Sequence, residues 1–447
     1  MNLEEVLGRR VAVWGLGAEG LAFAELAVRR GVEPVMVDDL PDEAAGRLAV
    51  ALGGARPVMA PADVDWSTVD VVVRSPGVSR YRPELAVAAA AGTVMTTAMA
   101  LWLEDHAVAP VLAITGTKGK STTAALAAAM LEADGRGVEL IGNIGVPVLA
   151  TYGRPPPDAF VVEVSSYQAA DVARSPGVVV LTSLAPDHLD WHGGAEIYYR
   201  DKLRLVDAGP PGRLAVYAGN EEALRRTVGH PDRTLFGPAG RVRVDDGGWV
   251  EVDGERLVDS GRLRVPGRHN VWNLCGAIAG ILLLTGAPPS PAAIGDALDG
   301  FAGLPSRCHV LGERDGRIYV DDALASNPFA SATSVESFAG RPLTVIVGGA
   351  DRGVDPGLLV AALAAHRPSA AAVVLPPDQD RLGSALAIVV TQVVPASDLD
   401  EAVVLAVGLT PADGVILFSP GAPTPEGGGG YRARSRQFGR AAGFEEG

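Results

Sequence analysis

The sequence predicts an α/β protein with parallel sheets, arranged as three consecutive domains. Short runs of Val, Ile, Leu and Ala recur along the chain, and most end in a glycine-bearing turn that opens an Ala/Leu-rich stretch, the pattern of strands feeding helices. A length of 447 residues is too great for one core. Apolar residues make up 48% of the chain but aromatics only 5%, so Ala, Gly and Val carry the buried mass, which suits strand–helix layers better than a β-sandwich. The expected domains are 1–106, 107–305 and 306–447.

Whole-chain properties narrow the function classes. The net charge of −15 argues against a nucleic-acid partner. The two cysteines, Cys275 and Cys308, both flank apolar residues and read as packing residues, not a disulfide framework. Met1-Asn-Leu-Glu-Glu5 carries no signal-peptide pattern, and the apolar run Ile278–Leu284 is too short to span a bilayer. A cytoplasmic monomer without a membrane partner is expected.

In the first domain, the strand Arg10–Trp14 runs into Gly15-Leu16-Gly17-Ala18-Glu19-Gly20 and then a helix. This is G-x-G-x-x-G in a strand–turn–helix context, so the domain reads as Rossmann-like. A second strand ends at Asp38, the distance from the glycines at which an acid meets a ribose or base. Taken alone this suggests a nicotinamide-dependent dehydrogenase. A third strand gives Ser75-Pro76-Gly77, which offers a hydroxyl and backbone amides at a strand end. It reads either as a second phosphate or sugar contact or as an ordinary Pro-Gly turn. Thr93–Leu103 closes the domain as a strand and helix.

The central domain opens on the stretch that organises the chain. The strand Val111–Ile114 leads into Thr115-Gly116-Thr117-Lys118-Gly119-Lys120-Ser121-Thr122, followed by an Ala/Leu-rich helix. Glycines let backbone N–H groups close on phosphate oxygens, and a helix start adds its positive end. Lys120 is placed to reach β/γ-phosphates and Ser121 to hold Mg²⁺. The spacing is shorter than G-x-x-x-x-G-K-[ST]; the plainer reading is a glycine turn before a surface helix. Gly142-Asn143-Ile-Gly145 is a tight turn with one amide side chain. Phe160–Gln168 reads as a strand carrying Glu163 beside Ser165, and a strand-end acid near a phosphate loop is a natural second metal ligand. After the strand Val178–Ser183 comes Asp187-His188-Leu-Asp190, whose histidine is a candidate metal ligand. Lys202 sits in a helical stretch and reads as an ordinary surface lysine. Residues 214–265 look like a small β-appendage. Asn270 and Asn273 then share one face of a helix start, with Asn270 a possible N-cap.

The last domain has strands at Ile318–Val320, Thr344–Val347 and Gly414–Phe418, again α/β and Rossmann-like. Arg352, in a glycine turn after the second of these, suits a carboxylate or phosphate. The third strand leads to Thr424, a glycine run and Tyr431.

The shortened loop, Gly-Asn-Ile-Gly, Glu163-x-Ser-Ser, Asp-His-x-Asp, Lys202, His-Asn-x-x-Asn and Leu304-Pro-x-Arg307 occur in this order, and together they resemble the Mur ligase family. The glycine-loop first domain is similar to its glutamate-adding, MurD-type members. The resemblance implies a UDP-sugar, UDP-N-acetylmuramoyl-L-alanine, held by Gly15, Leu16, Gly17, Asp38, Ser75, Pro76, Gly77 and Asn143. It implies ATP on residues 116–122, with Asn270 and Asn273 at the adenine and Arg307 and Asp322 completing the nucleotide site. Two Mg²⁺ ions are implied, held by Ser121, Glu163, His188 and a Lys202 carbamylated by CO₂. Lys120, His188, Lys202 and Arg307 then serve catalysis, and Ser165, Ser326, Arg352, Thr424 and Tyr431 complete the substrate-binding set, the last two at the glutamate. The implied reaction is ATP-dependent joining of glutamate through an acyl phosphate. Where the family shows Asp-Ser-Lys-Ala-Thr-Asn, this chain has Leu324 for the lysine, Ala323 for the serine and Ser326 for the threonine. The missing lysine and the glycine run point to the variant class that adds L-glutamate, with D-glutamate the alternative. A dehydrogenase or a non-catalytic nucleotide-binding regulator are the remaining readings.

Overall fold

In the computed structural model the described residues are 1–350, 353–377, 379–425 and 427–444. They form three sheets, in two compact units: residues 1–260 with 272–297, and residues 261–271 with 298–447. The first unit holds the first two sheets. Strands β1 (Val11–Trp14), β2 (Val35–Val37), β3 (Val71–Arg74) and β4 (Val94–Thr96) pair in the order β2-β1-β3-β4, all parallel. β1 and β3 are buried at every position; β1 and Val71–Val73 are the apolar runs expected of a parallel sheet covered on both faces, and β3 ends in the buried Arg74.

The second sheet has nine strands: β5 (Val111–Thr115), β6 (Val138–Gly142), β7 (Ala159–Glu163), β8 (Val178–Leu181), β9 (Arg213–Tyr217), β10 (Arg233–Phe236), β11 (Val242–Val244), β12 (Trp249–Val252) and β13 (Glu255–Asp259). Their order is β13-β12-β11-β10-β9-β8-β5-β7-β6. The expected β-appendage is therefore corrected: β9 and β10 extend the parallel sheet outward from β8, and only the β11–β12–β13 meander is antiparallel. Apolar Leu214–Val216, fully buried, earns β9 its place beside β8. The strand expected over 160–168 also ends sooner, at Glu163. Ser165 there accepts from the Gln168 backbone and the Gln168 side chain returns to the Ser165 N–H, a capping box that starts a short helix. One buried apolar cluster runs from Leu3 to Ala223, so both sheets of this unit share a continuous core.

The second unit is built on β14 (His309–Arg314), β15 (Arg317–Asp321), β16 (Leu343–Val347), β17 (Ala371–Val374), β18 (Val393–Pro395) and β19 (Val415–Phe418), in the order β14-β15-β19-β16-β17-β18. Only β14 runs antiparallel. Among the described residues no helix is long and apolar enough to cross a membrane. Cys275 and Cys308 are buried free thiols; Cys275 follows its apolar neighbour Leu274, whereas Cys308 is buried although it stands between Arg307 and His309.

Candidate functional site

The phosphate-loop candidate leaves the carboxyl end of β5 at Gly116, whose φ is +147°. A Cβ there would lie 2.1 Å from Thr182 Oγ1, and one at Gly119 would lie 2.3 Å from Asn273 Oδ1, so both positions require glycine. Lys120 opens the helix Lys120–Ala133 and its Nζ donates to Gly116 O and Thr117 O, each at 3.1 Å. The Thr117 hydroxyl lies 2.7 Å from Tyr198 Oη and 2.9 Å from Ala185 O, and Lys118 N donates to Ser183 Oγ. Thr122 is half-buried at the start of the helix.

Two oxygens beside this loop are buried without a partner: Ser121 Oγ and Glu163 Oε2. Glu163 ends β7 level with Ile114 of β5 and Gly142 of β6. Its other oxygen accepts from Asn143 Nδ2 at 2.7 Å. A fully buried carboxylate with an unmet oxygen costs several kcal/mol unless a cation balances it, so a hydroxyl and a carboxylate left open together fit a hard divalent ion. Among the described residues no three His, Cys, Asp or Glu side chains cluster to hold a metal by themselves.

Lys202 is not the surface lysine its local sequence suggests. It lies on the helix Ala195–Asp207 and is 2% exposed, with Nζ donating to Gly116 O at 2.9 Å. Burial, then the nearby Lys120 charge, pull its pKa well below that of a free amine. His188 has φ +53° and lies 3.7 Å, through Nε2, from Asp187 Oδ2, with its ring 4.8 Å from that of Tyr167. Its side chain is 48% exposed, and burial of the rest lowers its pKa, which favours the neutral ring that a metal needs.

Asn273 accepts from Thr123 Oγ1 at 3.4 Å and thus packs against the loop's helix. Asn270 lies inside the helix Arg268–Thr285, not at its N-cap, and its amide donates to Pro266 O.

At the first sheet, the glycine turn is braced from its own domain. Asp38 Oδ2 accepts from Leu16 N at 2.7 Å, and Ser75 Oγ donates to Gly15 O. Gly20 carries the close packing: a Cβ there would strike Gly15 O. A Cβ at Gly17 or Gly77 would meet nothing within 4 Å, so the backbone at these two positions is open to solvent. Pro76 O accepts from Trp191 Nε1 at 3.0 Å, which ties this turn to the segment after β8.

Sequence reasoning missed the polar network joining these parts. Arg74, buried, pairs with Asp171, also buried, at 2.6 Å. Asp201, next to Lys202, accepts from Tyr81 Oη and pairs with His192 Nδ1 at 2.8 Å, while His192 Nε2 meets Ser166 Oγ at 3.0 Å. Glu19 is bonded by Gln168 Nε2. Nothing in the local sequence marks these residues, because their partners are distant in the chain.

In the second unit, Asp322 is buried and held by Cys308 N at 3.0 Å, Ser334 Oγ at 2.6 Å and Ser419 Oγ at 2.7 Å, with burial raising its pKa to about 6. Ser326 is exposed at the carboxyl end of β15 and Leu324 is half-buried beside it. Thr424 and Tyr431 are half-buried on either side of the glycine run. Ala325 O accepts from Gly421 N and Pro423 O from Ala350 N, so the ends of β15, β16 and β19 converge. Arg307 is exposed in this unit, and Arg352 lies outside the described residues.

A loop of phosphate-gripping shape, two unmet oxygens suited to a cation and a separate glycine turn together fit an enzyme of phosphoryl chemistry. The Mur ligase middle domain matches residues 114–281. The UDP-N-acetylmuramoyl-L-alanine--L-glutamate ligase of a Micromonospora species is 39% identical over 99% of this chain and 98% of its own. That of Xanthomonas euvesicatoria is 36% identical over 100% and 97%. The chain belongs to the Mur ligase family. Among solved structures, UDP-N-acetylmuramate-alanine ligase MurC from Thermotoga maritima shares the fold, with a TM-score of 0.61 at 19% identity over 97% of this chain and 98% of that one.

Proposed function

We propose that the protein joins glutamate, L-glutamate in preference, to UDP-N-acetylmuramoyl-L-alanine with ATP, a cytoplasmic step of peptidoglycan precursor synthesis. Residues 1–106 take the UDP-sugar, 107–305 the ATP, and 306–447 the amino acid. The unmet oxygens of Ser121 and Glu163, beside a loop carrying Lys120, are the observation that carries this reading. They favour phosphoryl transfer over hydride transfer. The relatives' printed names supply the substrates.

The chemistry follows from the groups. The alanyl carboxylate attacks the γ-phosphorus and the bond to ADP breaks, leaving an acyl phosphate. The glutamate amine then attacks the acyl carbon, phosphate departs with the C–O electron pair, and the nitrogen loses a proton. Lys120 neutralises charge gathering on the transferred group. Ser121 and Glu163 fit one Mg²⁺, which when bound supplies further charge neutralisation. His188 and Lys202 are assigned to a second. The Lys202 amine, depressed by burial, is suited to take up CO₂, forming an N–C bond and releasing a proton, so that an anion stands where an amine stood.

ADP production, measured with each reactant omitted in turn, tests the reading. Turnover is expected only with ATP, Mg²⁺, the UDP-substrate and glutamate together. Lys120→Ala should lower turnover about 10³-fold or more while UDP-substrate binding persists. Equal loss of binding and turnover would count against separate sites.

A further inference from the structure

The second unit contains a buried cation with no anion beside it among the described residues. Arg434, on the helix Gly430–Ala441, is 9% exposed. Its NH2 donates to Gly348 O at 2.8 Å, its guanidinium carbon lies 5.1 Å from the centre of the Phe418 ring, and its NH1 is buried without a partner. Among the described residues no carboxylate reaches it. The two acids at the end of β15 are already engaged: Asp321 by Ala323 N and Ser435 Oγ, and Asp322 by Cys308, Ser334 and Ser419. Burial pulls the Arg434 pKa down to about 10. A guanidinium stays charged at neutral pH even so, and an unbalanced buried charge is costly, so proteins seldom keep one without a use.

Its position suggests that use. Gly348 follows β16 and Phe418 ends β19, the strand ends that converge with the Ser326 segment. Arg434 therefore lies under the turn where the amino-acid substrate is expected, in a domain where Leu324 stands in place of a lysine. We propose that Arg434 receives the side-chain carboxylate of the incoming acidic amino acid, NH1 supplying the bond that NH2 already gives to Gly348 O. This rests on the ligase reading above. The approach is through the glycine run ahead of the helix. Gly427, Gly429 and Gly430 have φ of +79°, +68° and +77°, and a backbone of this kind rearranges at little cost. The planar fork of arginine suits a carboxylate and would distinguish glutamate from glutamine, which has the same shape without the charge.

The test is steady-state kinetics of the full chain with glutamate and with glutamine, in wild type, Arg434→Met and Arg434→Lys. Wild type is expected to favour glutamate at least about 100-fold in kcat/KM. Arg434→Met should raise KM for glutamate about 30-fold or more, leave KM for ATP within about twofold, and collapse the glutamate/glutamine ratio toward one. Arg434→Lys keeps the charge and should keep the preference with a weaker KM, which serves if the methionine variant fails to fold. An unchanged glutamate/glutamine ratio in Arg434→Met overturns the assignment; so does a lost ratio in a folded Arg434→Lys that matches a loss in ATP affinity. If wild type makes no ADP with glutamate at all, the ligase reading fails instead.

Discussion

An amine buried beside two other amines has little reason to hold a proton. Lys202 is nearly sealed from water, which with the charges of Lys120 and Lys118 outweighs the opposing pull of Asp187 and Glu163 and holds its pKa well below that of a free amine. Only a neutral amine adds to CO₂, so carbamylation should be favoured at a pH where an exposed lysine would remain protonated. Lys202→Ala is expected to lose about 100-fold or more of turnover, and short carboxylic acids such as formate or acetate should restore part of it by placing an anion in the vacated space. Activation of wild type by added bicarbonate should weaken as pH falls, because protonation removes the reacting form. Failure of any carboxylic acid to rescue the variant at any concentration would remove the carbamate assignment.

At the scale of elements, the start of the helix Ala18–Arg29 carries a second displaced group. Glu19 is bonded by Gln168, has one oxygen buried without a partner, and is raised by burial to a pKa of about 7. Its unfolded value is near 4.5. Between these two values the native state holds more protons than the unfolded chain, so stability falls as pH rises through that window. Below it both states are protonated and the penalty vanishes. Glu19→Gln should therefore stabilise the protein at pH 8 by about 1–2 kcal/mol, allowing for the side chain's partial exposure, and have no such effect at pH 4. Urea unfolding at the two pH values measures this; a gain that persists at pH 4 would point to packing as its source. The same helix shows what the sequence could and could not reveal. Gly15–Gly20 and Gly116–Ser121 were legible because strand, glycine turn and helix are neighbours in the chain, and the chemistry of such a turn is local. Glu19–Gln168, Asp201–His192 and the burial of Lys202 were not, since each depends on a partner brought from another element. The 214–265 stretch failed for the same reason: short strands with Gly/Asp turns look alike whether they stand apart or extend a parallel sheet, and only pairing with β8 decides.

For the whole molecule, the question left by the resemblance is which glutamate the chain selects, because that fixes the stereochemistry of everything built on its product. The two isomers carry the same charges at different angles, so binding strength alone does not separate them; the placement of cations around the two carboxylates does. A lysine at position 324 would hold a carboxylate from the end of β15, whereas Leu324 offers only apolar contact there. The carboxylates must then be met from elsewhere; on the proposal above that is Arg434, which follows β19 in the chain and has no acid partner among the described residues, so the pull would come from a different direction. L-glutamate is accordingly expected to exceed D-glutamate by about 100-fold in kcat/KM, measured as ADP release with the UDP-substrate saturating. Leu324→Lys should narrow the gap by improving D-glutamate more than L-glutamate, since it puts at the end of β15 the cation that the Asp-Ser-Lys-Ala-Thr-Asn pattern carries. Equal use of both isomers by wild type would overturn the preference while leaving the ligase assignment intact. A strong preference for D-glutamate would show that Leu324 is no obstacle to that isomer, and that a cation outside position 324 meets the same carboxylate.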